Sequence, residues 1–261
     1  MSFFRTLKFK FLLVFLILLA IATLVVLSEM RTSRFQADYF SRTASGLSYK
    51  MGQGPSKAIR FPKTGPYDER LGYSRLPEFT KLLSDQNFVV TDQARMSPEL
   101  LTLPLPPIYP EKDRAGLDLY DDKHQLLYSA RSPERVYADF DAVPKLLADT
   151  LLFIEDRELL DASHPERNPA VNWSRLDRAI FDQGMHAINP GHEAPGASTL
   201  VTQIEKYRHS PEGRTTSAKE RLQQMESASI RAYLRGKNTM GVRRQTVVSY
   251  LNTVPLTAKA G

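Results

Sequence analysis

The chain has 261 residues, no cysteine and a formal net charge of +6. The lack of cysteine excludes disulfides, thiol catalysis and cysteine-bound zinc, and the five histidines show no paired helical spacing that predicts a metal site. The basic excess favours an anionic partner, such as a membrane surface or a pyrophosphate. This length predicts one sizeable domain and a smaller one.

Residues 1–30 are predicted to form a short cytoplasmic tail and a membrane anchor. Phe11–Leu27 is an uncharged apolar run, just long enough to span a bilayer, and basic residues precede it. A cleaved signal peptide is the rival interpretation, because Ala20–Ala22 has small residues at cleavage spacing. The apolar Leu24–Leu27 that follow favour an uncleaved helix, since a cleavable signal would turn polar there.

Residues 31–116 are predicted to be a small α+β or irregular stalk, or a docking module. Frequent glycine and proline argue against long helices in this stretch. Phe88–Val90 is predicted to be a short strand, and Pro98–Leu103 a helical turn.

A β-hairpin is predicted over Leu117–Tyr137, where the third region, 117–261, begins. Leu117–Tyr120 alternates apolar and polar side chains, Asp121–Lys123 can turn, and Gln125–Ala130 returns.

A helix is predicted next, with Pro144 in its first turn, Asp141 as its cap and an end near Leu160. Its apolar face is formed by Leu147, Leu151 and Ile154. Glu155 falls at the edge of that face, where a half-desolvated carboxylate is suited to proton transfer. An ordinary surface glutamate in a solvated charged run is the alternative.

A second helix whose side chains are suited to binding a ligand is predicted after Gly196. The glycine allows close approach of the backbone. Ser198 or Thr199 would cap the helix, and Thr199, Gln203 and Lys206 would share one polar face. The opposite face carries Leu200 and Ile204. A helix N-terminus with hydroxyls, an amide and a lysine in line is suited to binding a phosphate or a sugar.

Between these helices, residues 172–180 are predicted to form a capped helix that includes Arg178. The stretch Gln183–Pro195 is rich in glycine, proline and histidine, which indicates a mobile loop.

Three stretches, in this order, resemble motifs of the peptidoglycan glycosyltransferases, glycosyltransferase family 51, found alone or as the first domain of class A penicillin-binding proteins. Leu151–Arg157 resembles the apolar helix ending in Glu-Asp, and Gly196–Lys206 resembles Gly-Gly-Ser-Thr-Ile-Thr-Gln-Gln-Leu-x-Lys. Val247–Asn252 resembles the later helix ending in Tyr-Leu-Asn. The resemblance covers 117–261 and implies a mainly α, lysozyme-like domain, divergent and truncated at its C-terminus.

The resemblance also implies roles for particular residues. Glu155 would be the general base that polymerises a lipid-pyrophosphate-linked disaccharide (lipid II) into glycan strands with inversion. The residues expected to bind substrate are Asp156, Arg178, Ser198, Thr199, Gln203, Lys206, Arg214 and Arg221. Of these, Lys206, Arg214 and Arg221 would hold the donor's pyrophosphate. No cofactor and no metal are expected, and a divalent cation at the pyrophosphate is the one addition left open.

The resemblance further implies a single-pass protein of the bacterial inner membrane with its catalytic domain on the periplasmic face. Its expected partners are lipid II, the nascent glycan strand, the membrane and other cell-wall synthesis proteins, with no nucleic acid.

Departures from the family pattern keep two alternatives open. Leu159 and Ala162 stand where the family has an aromatic residue and a histidine, so that His164 could serve only from a longer loop. Gln224 stands where the motif Arg-Lys-x-x-Glu carries the family's second carboxylate. A degenerate relative that acts as a precursor-binding or cell-wall scaffold is one alternative. A lytic enzyme is the other, and the basic residues argue against it because a cleaving enzyme has no diphosphate to hold.

Overall fold

The structure is a computed structural model that describes residues 2–60, 65–104, 115–132, 137–177 and 198–253. Helices dominate these residues, so the predicted mainly α fold class is confirmed. The helices are α1 (Ser2–Thr32), α2 (Arg34–Gly46), α3 (Pro66–Arg70), α4 (Leu76–Asp85), α5 (Pro98–Thr102), α6 (Lys145–Glu155), α7 (described over 173–177), α8 (Leu200–His209), α9 (Ala218–Ala232) and α10 (Met240–Thr253). The strands are β1 (Tyr49–Gln53), β2 (Asp92–Met96), β3 (Ala115–Tyr120) and β4 (Leu126–Ser132).

The N-terminal helix α1 has the length and composition predicted for a membrane anchor, which a signal sequence would share. Its segment Lys10–Thr32 has 23 residues, the most apolar stretch of 18 residues in it has a mean hydropathy of 3.1, and none of that stretch is buried by the rest of the protein. That length and composition suffice to cross a bilayer. The helix stops at Ser33, which takes a left-handed conformation with φ 54°.

A sharp turn at Ser33 joins α1 to α2. The carboxylate of Glu29, in the last turns of α1, accepts hydrogen bonds from the backbone N–H groups of Phe35 at 2.9 Å and Gln36 at 3.0 Å. These N–H groups lie in the first turn of α2 and have no intrahelical partner. Glu29 therefore caps α2 from the preceding helix and fixes the angle at which the chain leaves α1.

Helix α2 packs on α9 through small and aromatic side chains. Ala37 is fully buried against Ala232 and Tyr233. The rings of Phe40 and Tyr233 stack with centroids 6.1 Å apart. The segment that follows α1 is thus fastened to the helices of the C-terminal region.

Strands β1 and β2 pair antiparallel, with Tyr49 opposite Met96 and Gln53 opposite Asp92. The strand predicted over Phe88–Val90 is wrong, because these residues are irregular and β2 begins at Asp92. The predicted helical turn is confirmed as α5.

The short helix α3 lies directly on α8. Gly65, with φ 120°, approaches so closely that a Cβ atom there would lie 2.1 Å from the carbonyl oxygen of Arg208. Asp68 is buried beneath this contact, and its Oδ2 lies 3.2 Å from Nδ1 of His209. The same imidazole lies 3.9 Å from the buried carboxylate of Glu205. Residues 65–70 therefore contribute to the polar interior beside α8.

The predicted hairpin is confirmed as β3 and β4, which pair antiparallel from Ala115 opposite Ser132 to Tyr120 opposite Leu126. Asp121 Oδ1 closes the turn by accepting hydrogen bonds from the backbone N–H groups of Lys123 at 2.9 Å and Gln125 at 2.7 Å.

The main hydrophobic core lies between α6, α8 and α10. On each helix, residues three and four apart face the same side, so the apolar spacing in the sequence places these side chains in the core. The buried members are Val143, Ala148, Leu159, Leu200, Ile204, Val247, Val248, Tyr250 and Leu251. At one edge of this core, the Asn252 side chain accepts from the backbone N–H of Tyr137 at 3.1 Å and donates to its carbonyl at 2.7 Å.

Two predicted boundaries of α6 are wrong. Its N-cap is Pro144 rather than Asp141, with no side-chain hydrogen bond, and the helix ends at Glu155 rather than near Leu160. Asp156 is extended, with φ −164° and ψ 95°. The chain that follows is held by a buried arginine, Arg243 on α10.

Arg243 binds carbonyl oxygens spread along the segment after α6. Its guanidinium donates to those of Asp161 at 3.0 Å, His164 at 2.6 Å and Arg167 at 2.9 Å. Burial lowers the pKa of Arg243 from its usual value. These contacts order a segment that has little regular structure of its own.

Candidate active site

Glu155 is the last residue of α6, at the edge of the core and partly open to solvent. Its side chain is 24% exposed. Its Oε2 accepts a hydrogen bond from Nε2 of Gln203 on α8 at 3.0 Å. The two sequence motifs that contain Glu155 and Gln203 therefore meet in space, as the resemblance implies.

Tyr250 on α10 completes this row of hydrogen bonds. Its hydroxyl donates to Oε1 of Gln203 at 3.2 Å, which leaves the Gln203 amide nitrogen directed at Glu155. Burial raises the pKa of the Tyr250 hydroxyl, and the negative charge of Glu155 raises it further. The third motif of the resemblance thus joins the other two through one hydroxyl.

A cationic side chain, Arg175 on α7, also reaches Glu155. Its Nη1 lies 3.7 Å from Glu155 Oε2. Sequence reasoning missed Arg175, which lies outside the three motifs. The only local signal was its place in the predicted helix at 172–180, whose cap is confirmed because Asn172 Oδ1 accepts from the backbone N–H of Arg175 at 3.2 Å.

Thr199 caps α8, as predicted. Its hydroxyl accepts from the backbone N–H of Thr202 at 3.3 Å, and Thr202 Oγ1 accepts from the backbone N–H of Thr199 at 2.8 Å. This reciprocal arrangement is a capping box. Ser198 just before it is half-buried. Direct contact of Ser198 or Thr199 with a substrate stays a prediction.

Asp156 lies next to Glu155 in the extended residue that terminates α6. Its Oδ1 accepts from the backbone N–H of Glu158 at 3.2 Å. Burial raises the pKa of the Asp156 carboxyl, and Arg167 and Arg175 only partly offset this effect.

The three basic residues expected at the pyrophosphate differ in exposure. Lys206 is half-buried on α8, whereas Arg214 and Arg221 are exposed. None of them forms an ion pair within the part of the chain that the structure describes. Their positive charges are therefore not offset by a described carboxylate, and their role toward a diphosphate stays a prediction.

Gln224 on α9 is buried, with 3% of its surface exposed. Its amide nitrogen donates to Oγ of Ser210 at 2.7 Å, and its amide oxygen accepts from the hydroxyl of Thr215 at 3.1 Å. Both ends of this side chain are occupied by protein partners.

The structure also shows the contacts of Leu159, which departs from the family pattern, and of His164, the nearby histidine. Leu159 is buried in the main core. His164 Nδ1 lies 3.1 Å from Asp161 Oδ2 and 2.9 Å from the hydroxyl of Ser163, within the segment that Arg243 holds. Arg178 and the predicted mobile stretch 183–195 lie outside the described residues.

Among the described residues, no group of three or more histidines, aspartates and glutamates is placed to hold a metal ion. The candidate site brings the carboxylate of Glu155 together with the amide of Gln203 on the capped helix α8 and the guanidinium of Arg175. Such an arrangement is chemically suited to proton transfer at the glutamate, beside a helix N-terminus that is suited to an anion.

Comparison with known families agrees with that chemistry. The sequence model of the family described as Transglycosylase matches residues 123–260. The match spans more than half of the chain, and the chain belongs to this family. It therefore carries a peptidoglycan glycosyltransferase domain. Searches of curated proteins and of solved structures find no significant match.

Proposed function

We propose that this protein is a membrane-anchored enzyme that polymerises lipid II into glycan strands, with Glu155 as the general base. One Glu155 carboxylate oxygen would take the proton from the 4-hydroxyl of the acceptor sugar. That hydroxyl oxygen attacks the anomeric carbon of the donor on the face opposite the pyrophosphate. The bond from the anomeric carbon to the phosphate oxygen breaks, and the linkage inverts.

The arrangement around Glu155 is the observation that carries this proposal. Among the described residues, the hydrogen bond from Gln203 and the ion pair with Arg175 both reach Oε2. The other oxygen, Oε1, has no described partner, and the side chain is partly exposed. A carboxylate held at one oxygen and open at the other is suited to receiving a proton from a positioned hydroxyl.

The leaving group requires positive charge, because a departing diphosphate gains negative charge as the bond breaks. Lys206, Arg214 and Arg221 are the residues proposed for this task, with Asp156, Ser198, Thr199, Gln203 and Arg178 binding other parts of the substrate. Charge-assisted hydrogen bonds from lysine and arginine stabilise such a group better than neutral donors do.

Membrane anchoring by α1 fits a lipid-linked substrate, since both would then be confined to the same surface. Phe35 and Tyr39 lie just past the end of α1, and they are 65% and 64% exposed. Exposed aromatic side chains close to the end of a membrane-spanning helix are typical of a membrane–water interface. We propose an inner-membrane location with the catalytic domain on the periplasmic face.

The test is glycan-chain formation from purified lipid II by the full-length protein in detergent. Glu155→Gln should lower the rate about 10²- to 10⁴-fold, the range that a general base contributes. Glu99→Gln is the control, because it makes the same substitution at an exposed position for which the structure describes no ion pair. Equal activity of wild type and Glu155→Gln would contradict the assignment of Glu155.

The second candidate function is a degenerate relative that binds the precursor without polymerising it. The buried glutamine at position 224, where the family has a carboxylate, favours this alternative. It predicts that the wild-type protein binds lipid II yet forms no chains. A lytic enzyme predicts instead that preformed glycan is cleaved.

A further inference from the structure

The guanidinium of Arg175 links the end of α6 to the start of α8 by hydrogen bonds. Arg175 Nη2 donates to the carbonyl oxygen of Ile154 at 3.3 Å, and Nη1 donates to the carbonyl oxygen of Ser198 at 3.1 Å. Ile154 lies in the last turn of α6, where carbonyl groups have no intrahelical partner. Ser198 directly precedes the N-cap of α8, Thr199. The side chain therefore spans the junction between the two helices that carry Glu155 and Gln203.

The same guanidinium lies beside the reacting group of the proposed mechanism. Nη1 is 3.7 Å from Glu155 Oε2, the oxygen that also accepts from Gln203. The Arg175 side chain is 29% exposed, so its charge is partly shielded from solvent. An arginine fork is planar and can engage several oxygens at fixed angles, whereas a lysine offers a single ammonium.

We infer that Arg175 is a positioning residue, which holds Glu155 at the correct angle and distance from the bound acceptor sugar. The inference rests on the proposed function, because it assigns Arg175 a task in proton transfer by Glu155. It goes beyond the family resemblance, since none of the three motifs includes Arg175. A displacement of about 1 Å at a reacting group can lower a rate about 10²-fold, so a clamp of this kind affects catalysis without touching substrate.

The experiment compares Arg175→Gln, Arg175→Lys and Arg235→Gln in the full-length protein with lipid II as substrate. Arg235→Gln is the control, because it removes the same charge from an exposed position of the domain. Arg175→Gln should lower kcat about 10- to 100-fold and leave KM within about threefold. Arg175→Lys should recover part of that loss, because it restores the charge beside Glu155 without spanning both carbonyls. Arg235→Gln should match wild type.

A double variant separates positioning from general damage. If Arg175 acts through Glu155, then Arg175→Gln should not slow the residual activity of Glu155→Gln any further. A multiplicative loss in the double variant would overturn the inference. So would a normal kcat in Arg175→Gln, or a loss that lies mainly in KM.

Amide hydrogen exchange provides a readout that does not require activity. Arg175→Gln should raise exchange in segments 150–157 and 198–204 relative to wild type and Arg235→Gln. If wild type forms no glycan chains, the proposed function fails. In that case, raised exchange still supports the bridge between α6 and α8, and unchanged exchange overturns it.

Discussion

Glu155 and Gln224 occupy the two positions where the family resemblance places carboxylates, and their surroundings are opposite. Glu155 ends a helix, is 24% exposed and has described partners at only one oxygen. Gln224 lies within a helix, is 3% exposed and has both amide atoms hydrogen-bonded to Ser210 and Thr215. The comparison is consistent with the chemical role proposed for the first position, and it indicates that the second position stabilises the fold.

The strongest test of this difference is Gln224→Glu, which restores the family's carboxylate. We expect the variant to be destabilised by on the order of 2 to 4 kcal/mol at pH 7, because it places a negative charge in a buried site built for a neutral amide. We expect no gain in glycan-chain formation. Denaturant unfolding and the polymerisation assay together provide the measurement.

Gln224→Met is the matched control for that experiment. It keeps the volume and leaves the hydroxyls of Ser210 and Thr215 without this partner, at a cost of about 1 to 3 kcal/mol. A large rise in activity for Gln224→Glu alone would show that this position belongs to the catalytic site, contrary to the comparison.

A smaller effect is expected from Tyr250→Phe, which removes the hydrogen bond to Gln203 Oε1. The Gln203 amide would then lose one restraint on its orientation toward Glu155, and kcat should fall roughly tenfold or less with an unchanged KM. Steady-state kinetics with lipid II measure both constants. Tyr207→Phe, on α8, is the control, and an equal loss in both variants would contradict a specific role for Tyr250.

The smallest expected effect is the pH dependence of stability at Asp156. Burial raises the pKa of this carboxyl in the folded state above the usual 3.8, so folding favours the protonated form. The contribution of Asp156 to stability is greatest below pH 3.8. It falls as pH rises through the raised folded-state pKa and is constant above it.

Asp156→Asn removes this penalty, so its Tm should exceed that of wild type at pH 7, and the difference should shrink as the pH approaches 4. Scanning calorimetry across that range provides the measurement, with the exposed Asp85→Asn as control. A difference that grows toward low pH would contradict the direction of the pKa shift.

The parts of the fold that local chemistry determines were predictable. The cap at Thr199 and the core face of Leu200 and Ile204 follow from hydrogen-bonding capacity and helical spacing, and the hairpin follows from alternation around Asp121–Lys123. These features depend on residues close together in the sequence.

Features that depend on distant residues were not predictable in the same way. Leu159 continues the apolar spacing beyond Glu155, so nothing local marks the end of α6. The segment after the helix is held by Arg243, more than 70 residues further along the chain. Arg175 was missed for the same reason, since its two carbonyl partners lie on either side of it at separations of 21 and 23 residues. Burial of Gln224 likewise depends on tertiary packing.

The contact between α3 and α8 determines where the protein can be divided. Gly65 and Asp68 fill the space against Arg208 and His209, on the helix that also carries Gln203. A fragment that starts at residue 117 would open this side of α8 to water and remove the carboxylate that faces His209. A fragment that starts at Ser28 would retain the contact and also Glu29, whose carboxylate caps α2, and would omit the apolar run Phe11–Leu27. The smallest fragment that keeps this side of α8 covered is therefore larger than the family match alone indicates.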